Sequence, residues 1–305
     1  MIPAMSRSTP CVLSAVLAMA VAACAAGPQP APAPEIRVHV ASRAIAAGEP
    51  VRVTARSSAP LVTLEGSFLG NAVALSSADS GSTWTGWAVV PLDRLDAGSA
   101  PLELLGRSNS GVEAAAVVEL AVLARQFPEE RLSVEDRFVE PPPEVADRIE
   151  RERERTAEIY ARRTPSTLDD RAFAPPVPGP PTSEFGKRRV YNGTPKAPHA
   201  GIDLRAATGT RVLSAGPGIV ALASDLYYAG NTVIVDHGDG LFTVYAHLSK
   251  IEAREGARVE RGEILGLSGA TGRVTGPHLH WGAKIGNVPF DPRALYDAAL
   301  FRPPT

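Results

Sequence analysis

Over long stretches of this chain apolar and polar residues alternate one by one, the period of a strand buried on one face. From Glu35 to Ala124 the segments IRVHVAS, PVRVTARS, WTGWAVVPL and AAAVVELAVLA carry that pattern, separated by the turn-forming AGEP, SADSGS and DAGSA. Short Val-rich strands at this spacing predict a small immunoglobulin-like β-sandwich over residues 35–125. The pattern breaks at residue 126. Residues 126–177 form a charged, proline-bearing linker, in which a helical period begins at Glu144 just after Pro143. Its apolar stripe is thin, Val145, Ile149, Ile159 and Tyr160, which predicts a helix packed on one side and otherwise wet. After the boundary run PPVPGPP alternation returns and continues to about residue 300. NTVIVD and LFTVYAHL flank HGDG as a hairpin, and RVERGEILGLSG adds a strand–turn–strand pair. Residues 178–300 therefore predict a compact, mixed-to-antiparallel β domain, and the whole chain a mainly β fold with a short helical linker.

Composition changes this picture chiefly at the N-terminus. Arg7 is the only charge before Glu35, and the apolar stretch that follows it is too short for a membrane span but suits a secretory signal. It ends in Val21-Ala22-Ala23-Cys24, which resembles a bacterial lipobox. The expectation is a lipoprotein signal over 1–23, a lipid on Cys24 as the first mature residue, and a Pro/Ala tether over 24–34. With Cys11 inside the leader, the mature chain would hold no internal disulfide. The net charge of −2, with acidic and basic residues interleaved, offers no nucleic-acid-binding stripe.

The candidate chemistry lies in the histidines. His39 stands alone on a strand and His237 sits in the HGDG turn; both read as structural. The other four of the six occur as PHAGIDL, YAHLS and GPHLHW, and the first also carries Asp203. On a strand, residues i and i+2 point the same way, so His278 and His280 would face one point. An isolated pair of this kind is equally two histidines on a wet strand. Zinc takes imidazole and carboxylate ligands at about 2.0–2.2 Å, and a catalytic zinc takes three protein ligands. His199 and Asp203 supply two, and one histidine of the pair supplies a third. The remaining histidine and His247 are then free for acid–base work near neutral pH. No cysteine in this domain offers a structural zinc knot or a thiol nucleophile.

Taken in order, HAGID, YAHLS and GPHLHW, with FGKRR, GTRVLSAGPGIV and TGRVTGPHLH around them, resemble the lysostaphin/LytM-type zinc metallopeptidases that cut peptidoglycan cross-links. The resemblance covers 178–300 and implies one zinc per chain on His199, Asp203 and His280. It makes His247 and His278 the catalytic pair, and peptidoglycan stem peptides the substrate. With the leader, it implies a protein on the periplasmic face of the envelope, held in the outer membrane through Cys24. Arg188 or Arg189 of FGKRR is a candidate for a substrate carboxylate. One departure is Trp281-Gly282 after the His-x-His, where many relatives carry an aromatic residue and then Glu. Two other readings use the same sequence. One is a non-catalytic activator of a wall amidase, although such relatives have typically lost ligands that this chain keeps. The other is a peptidoglycan-binding module whose β domain is the working part or covers the groove.

Overall fold

The computed structural model describes residues 32–77, 79–168 and 173–301. The expected signal, the lipobox and Cys24 lie outside the described residues. Among the described residues no helix is long and apolar enough to cross a membrane. The mainly β expectation is met. In the N-terminal half, seven strands form one antiparallel sheet in the order Ile36–Ala41, Pro50–Ser57, Thr83–Val89, Asn71–Ser77, Leu61–Phe68, Gly98–Ser108 and Glu113–Val122. Alternation decides which side chains enter its core. Ala100, Leu102 and Leu104 are buried while their neighbours Glu103 and Leu105 face solvent. They meet Val51, Val53, Leu64, Phe68 and Leu120. The sheet curls until Ala46, beyond the first strand, bridges Leu123, beyond the last. What a sandwich would divide between two sheets is here one continuous, barrel-like wall.

The second half is a ten-stranded antiparallel sheet. Three of its strands matter most for the site. Leu241–Ile251 lies beside Leu279–Ile285, which in turn lies beside Gly201–Leu204. Beneath them Tyr245, Leu279, Trp281 and Ile202 are fully buried in one core, with Trp281 stacked on Tyr296 at 5.4 Å. Trp87 of the N-terminal sheet belongs to that same core, 5.9 Å from Phe301, so the two halves share apolar packing. Polar contacts join them as well: Arg43 reaches Asp291 at 3.2 Å and Ser76 donates to Asp239 at 2.7 Å.

The linker is more structured than its composition suggests. Glu129–Leu132 forms a strand that pairs in parallel with Arg188–Tyr191. A single 3-10 turn, Pro143–Val145, then leads into the helix Ala146–Tyr160. Only the end of the thin apolar stripe is deeply buried. Ile159 and Tyr160 pack on Leu222, Ile234 and Phe242, with the Tyr160 ring edge-on to Phe242 at 5.4 Å. The outer face is held by ion pairs such as Arg148 with Glu152 and Asp225.

Candidate functional site

Strand register builds the site. Asp203 lies opposite His280, and on the other side Ala246 lies opposite the same His280, so three adjacent strands present side chains to one groove. His278 precedes the strand by one residue and is tied to Gly269 by an isolated bridge. Leu279 between the two histidines is fully buried in the core, as the i, i+2 reading requires. Gly201 lets its strand come this close. A Cβ there would lie 2.8 Å from the His280 ring and 2.5 Å from the Trp281 carbonyl oxygen.

His247 arrives by a different route. Tyr245 pairs with Val233 and Leu248 with Asn231, so Ala246 and His247 share the space opposite one residue, Thr232. That is a β-bulge, and His247 adopts φ 63° within it. Strict alternation would send His247 to the core side with Tyr245. The bulge turns it into the groove instead, at a backbone cost on the order of 1–3 kcal/mol. The Ala229 carbonyl, accepting the His247 amide at 2.9 Å, helps hold the conformation.

Three donor atoms converge. His199 Nε2 and His280 Nδ1 each lie 3.0 Å from Asp203 Oδ1 and 3.1 Å from each other. A tetrahedral zinc with bonds of about 2.0–2.1 Å has ligand–ligand edges of about 3.3 Å, close to this triangle. The protonation pattern also suits a cation. His199 Nδ1–H donates to the Glu184 carbonyl at 2.9 Å, which leaves a lone pair on Nε2 pointing at a carboxylate oxygen. Lone pairs facing one another repel unless a positive charge sits among them, so the residues fit a metal.

The two remaining histidines flank the triangle. Their rings are 4.9 Å apart, and His247 is 5.9 Å from His280. His247 Nδ1–H donates to Thr271 O and His278 Nδ1–H to Gly276 O, so both rings are anchored through Nδ1, and His278 Nε2 lies 3.6 Å from Asp203 Oδ1. Burial, then the neighbouring His280 and His278, push the His247 imidazole down to about 3, which keeps it neutral at physiological pH. Burial alone would raise the Asp203 carboxyl, but the adjoining His199 and His280 rings outweigh it and hold the group ionised. His237 takes no part. It is fully buried in its turn, donating to Pro217 O, and desolvation pushes it down to about 4. His39 lies on the first strand of the N-terminal sheet, opposite Thr54.

The structure also places residues that the sequence left undecided. Arg189 is 7% exposed and donates from Nη2 to Asp203 Oδ2 at 2.9 Å, the oxygen that faces away from the triangle. Its Nε lies 3.1 Å from Glu130 of the linker strand, and Lys187 and Ser183 also bind Glu130. Arg189 is thus committed to orienting Asp203, and Arg188 is exposed with its Nε donating to Phe127 O. Arg189 is therefore not free for a substrate carboxylate, and Arg188 is not among the residues that line the groove. Period-2 alternation of FGKRR could have separated the buried arginine from the exposed one; nothing local pointed to Glu130, 59 positions earlier.

All five candidate side chains line one open groove of about 500 Å³. Its walls include Glu130, Leu132 and Val134 of the linker, and none of its lining residues falls within 32–125. Residues 197–292 match the model of peptidase family M23. This segment is a family M23 peptidase domain. It is 48% identical over 101 residues to the peptidoglycan DD-endopeptidase ShyA of Vibrio cholerae, a match covering 33% of this chain and 24% of the relative. To the DD-carboxypeptidase/endopeptidase Mpg of Neisseria meningitidis it is 43% identical over 94 residues, 31% of this chain and 22% of that one. The chain therefore spans about a quarter of the length of the curated relatives it matches. A crystal structure of a Pseudomonas aeruginosa protein assigned to peptidase M23 superposes with a TM-score of 0.63 at 29% identity. It covers 83% of this chain and 96% of that one, so the likeness extends through the N-terminal sheet.

Proposed function

We propose that this protein is a zinc-dependent endopeptidase that hydrolyses peptide cross-links of peptidoglycan. The observation that carries the reading is the constellation itself. A His199–Asp203–His280 triangle of cation-seeking donors and two further histidines, each anchored through Nδ1, share a single open groove. Held by His199 Nε2, Asp203 Oδ1 and His280 Nδ1, one zinc per chain would supply Lewis acidity toward the amide carbonyl. The protein's own contribution is proton handling. His247 and His278 present Nε2 as base to the attacking water, and once protonated they donate to the oxyanion or the departing amine. Arg189 fixes Asp203 so that only one of its oxygens faces the triangle.

The relatives' names, DD-endopeptidases of the wall, support a bond between D-configured centres, and the bond proposed here is a D-alanyl–diaminopimelate cross-link. The test is incubation of isolated peptidoglycan with the purified chain starting after Cys24, with zinc counted per chain and the released muropeptides identified by mass spectrometry. Cleaved cross-links, lost on chelation and restored by zinc, are expected. Zinc at one per chain with intact cross-links would sink the reading. The leader and Cys24 support an envelope protein anchored by lipid. Fatty-acid labelling of the expressed chain should appear, and should vanish in Cys24→Ser.

A further inference from the structure

We propose that Arg273 is the residue with which the groove reads a free carboxylate on its substrate, the one carried by the carbon that bears the cross-linking amine. The inference deepens the endopeptidase reading and rests on it. Arg273 belongs to the loop between Ser268 and His278, and its backbone amide donates to Tyr228 O at 2.8 Å. Gly272 before it has φ 75°, and a Cβ there would lie 2.4 Å from Gly230 N, so the loop is pressed against its neighbour and holds Arg273 in place. The guanidinium lies over two rings, 4.5 Å from the centroid of Tyr191 and 4.9 Å from that of Tyr228. Both tyrosines and Arg273 line the same groove as the five site residues.

Charge pairing separates this arginine from the other cation in the groove wall. Arg189 is spent on Asp203 and Glu130. Glu130 and Asp203, the carboxylates of the lining, are in turn taken by Arg189, Lys187 and the histidines. Arg273 has no carboxylate partner among the described residues. Ring faces bind a guanidinium through its plane, which leaves the N–H donors at its edge directed outward. That edge matches the two oxygens of a carboxylate. A positive, half-buried, ring-braced fork without a partner, at the side of a groove that receives a peptide, is built for an anion of that shape. In a D-alanyl–diaminopimelate cross-link one carboxylate stands next to the scissile nitrogen, on the same carbon. It is the acid nearest the reacting atoms, and the loop that carries Arg273 leads directly into His278.

The experiment compares two cross-linked muropeptide dimers that differ only at this carboxylate, free in one and amidated in the other. The unsubstituted chain should show kcat/KM about 10- to 100-fold higher for the free acid, the range of a charge-assisted hydrogen-bonded pair. Arg273→Gln should lose that preference while cutting the amidated dimer at a rate within about threefold of the unsubstituted chain; Arg273→Lys, which keeps the charge without the fork, should fall between. The proposal is overturned if the unsubstituted chain cuts both dimers equally, or if Arg273→Gln slows both alike, which would mark a purely structural role. If neither dimer is cut, the endopeptidase reading is what fails. Calorimetric affinities for the two dimers then still decide the role of Arg273. A preference for the free acid that Arg273→Gln abolishes upholds it, and equal affinities overturn it.

Discussion

Replacing His247 with alanine is expected to slow cross-link cleavage by about 10²- to 10⁴-fold while the protein keeps its zinc. His247 is not one of the three converging donors, so its loss leaves the His199–Asp203–His280 triangle whole. What disappears is a neutral imidazole whose Nδ1–H is pinned to Thr271 O and whose Nε2 is free. Proton transfer in the transition state then has one group fewer. Histidine tolerates φ 63° only several-fold better than alanine, under about 1 kcal/mol, so little of the effect should come from folding. The contrasting variant is Arg189→Met. It leaves Asp203 Oδ2 buried without its cation and should weaken zinc binding by about 10- to 100-fold. Stability should drop by about 3–5 kcal/mol as well, the usual cost of breaking a buried pair. Rates on isolated peptidoglycan, together with zinc per chain, separate the two. A His247→Ala protein that lost its metal would place His247 among the ligands, and one that kept its rate would remove it from the catalytic pair.

The parts of this arrangement that could be read beforehand are those set by local periodicity. The i, i+2 rule put His278 and His280 on one face with Leu279 beneath, and the sheet keeps that geometry. The spacing of His199 and Asp203 around Gly201 indicated a bent, extended segment, and the close approach at Gly201 explains why no side chain stands there. His247 was legible by residue type but not by direction. A bulge is a mismatch between two strands, and neither strand reveals it alone. The linker misled for a related reason. EERL is short and charged, so it carries no apolar signal, and it becomes a strand only because Arg188–Tyr191 offers an edge and Arg189 a charge. The N-terminal half shows the same limit on a larger scale. Alternation gave its strands, whereas the curl that brings Ala46 to Leu123 depends on how the sheet closes on itself.

Deleting everything before Pro178 should abolish cleavage rather than release it, because the groove is not built by residues 178–300 alone. The deletion removes Leu132 and Val134 from one wall, and with them Glu130, which braces Arg189 and through it Asp203. It also strips Ile159 and Tyr160 from Leu222, Ile234 and Phe242, and takes Phe173, Val177 and Trp87 out of the domain core. Each fully buried large apolar side chain contributes roughly 1.5–3 kcal/mol. Losing five of them is comparable to the roughly 5–15 kcal/mol that holds an ordinary domain together. A chain starting at Gln126 tests the cause. It keeps the linker strand, the helix and the whole groove wall, and gives up mainly Trp87 and the contacts of Arg43 and Ser76. That shorter deletion should retain cleavage within about tenfold, whereas the Pro178 form should lose at least about 100-fold and melt at a lower temperature. Glu130→Gln in the full chain supplies the version that does not depend on folding of a fragment. It keeps the wall but weakens the brace on Arg189, so zinc affinity should fall without loss of the fold. Faster cleavage by the Pro178 form would show that the linker obstructs the groove it lines, and would reverse the role assigned to the linker strand.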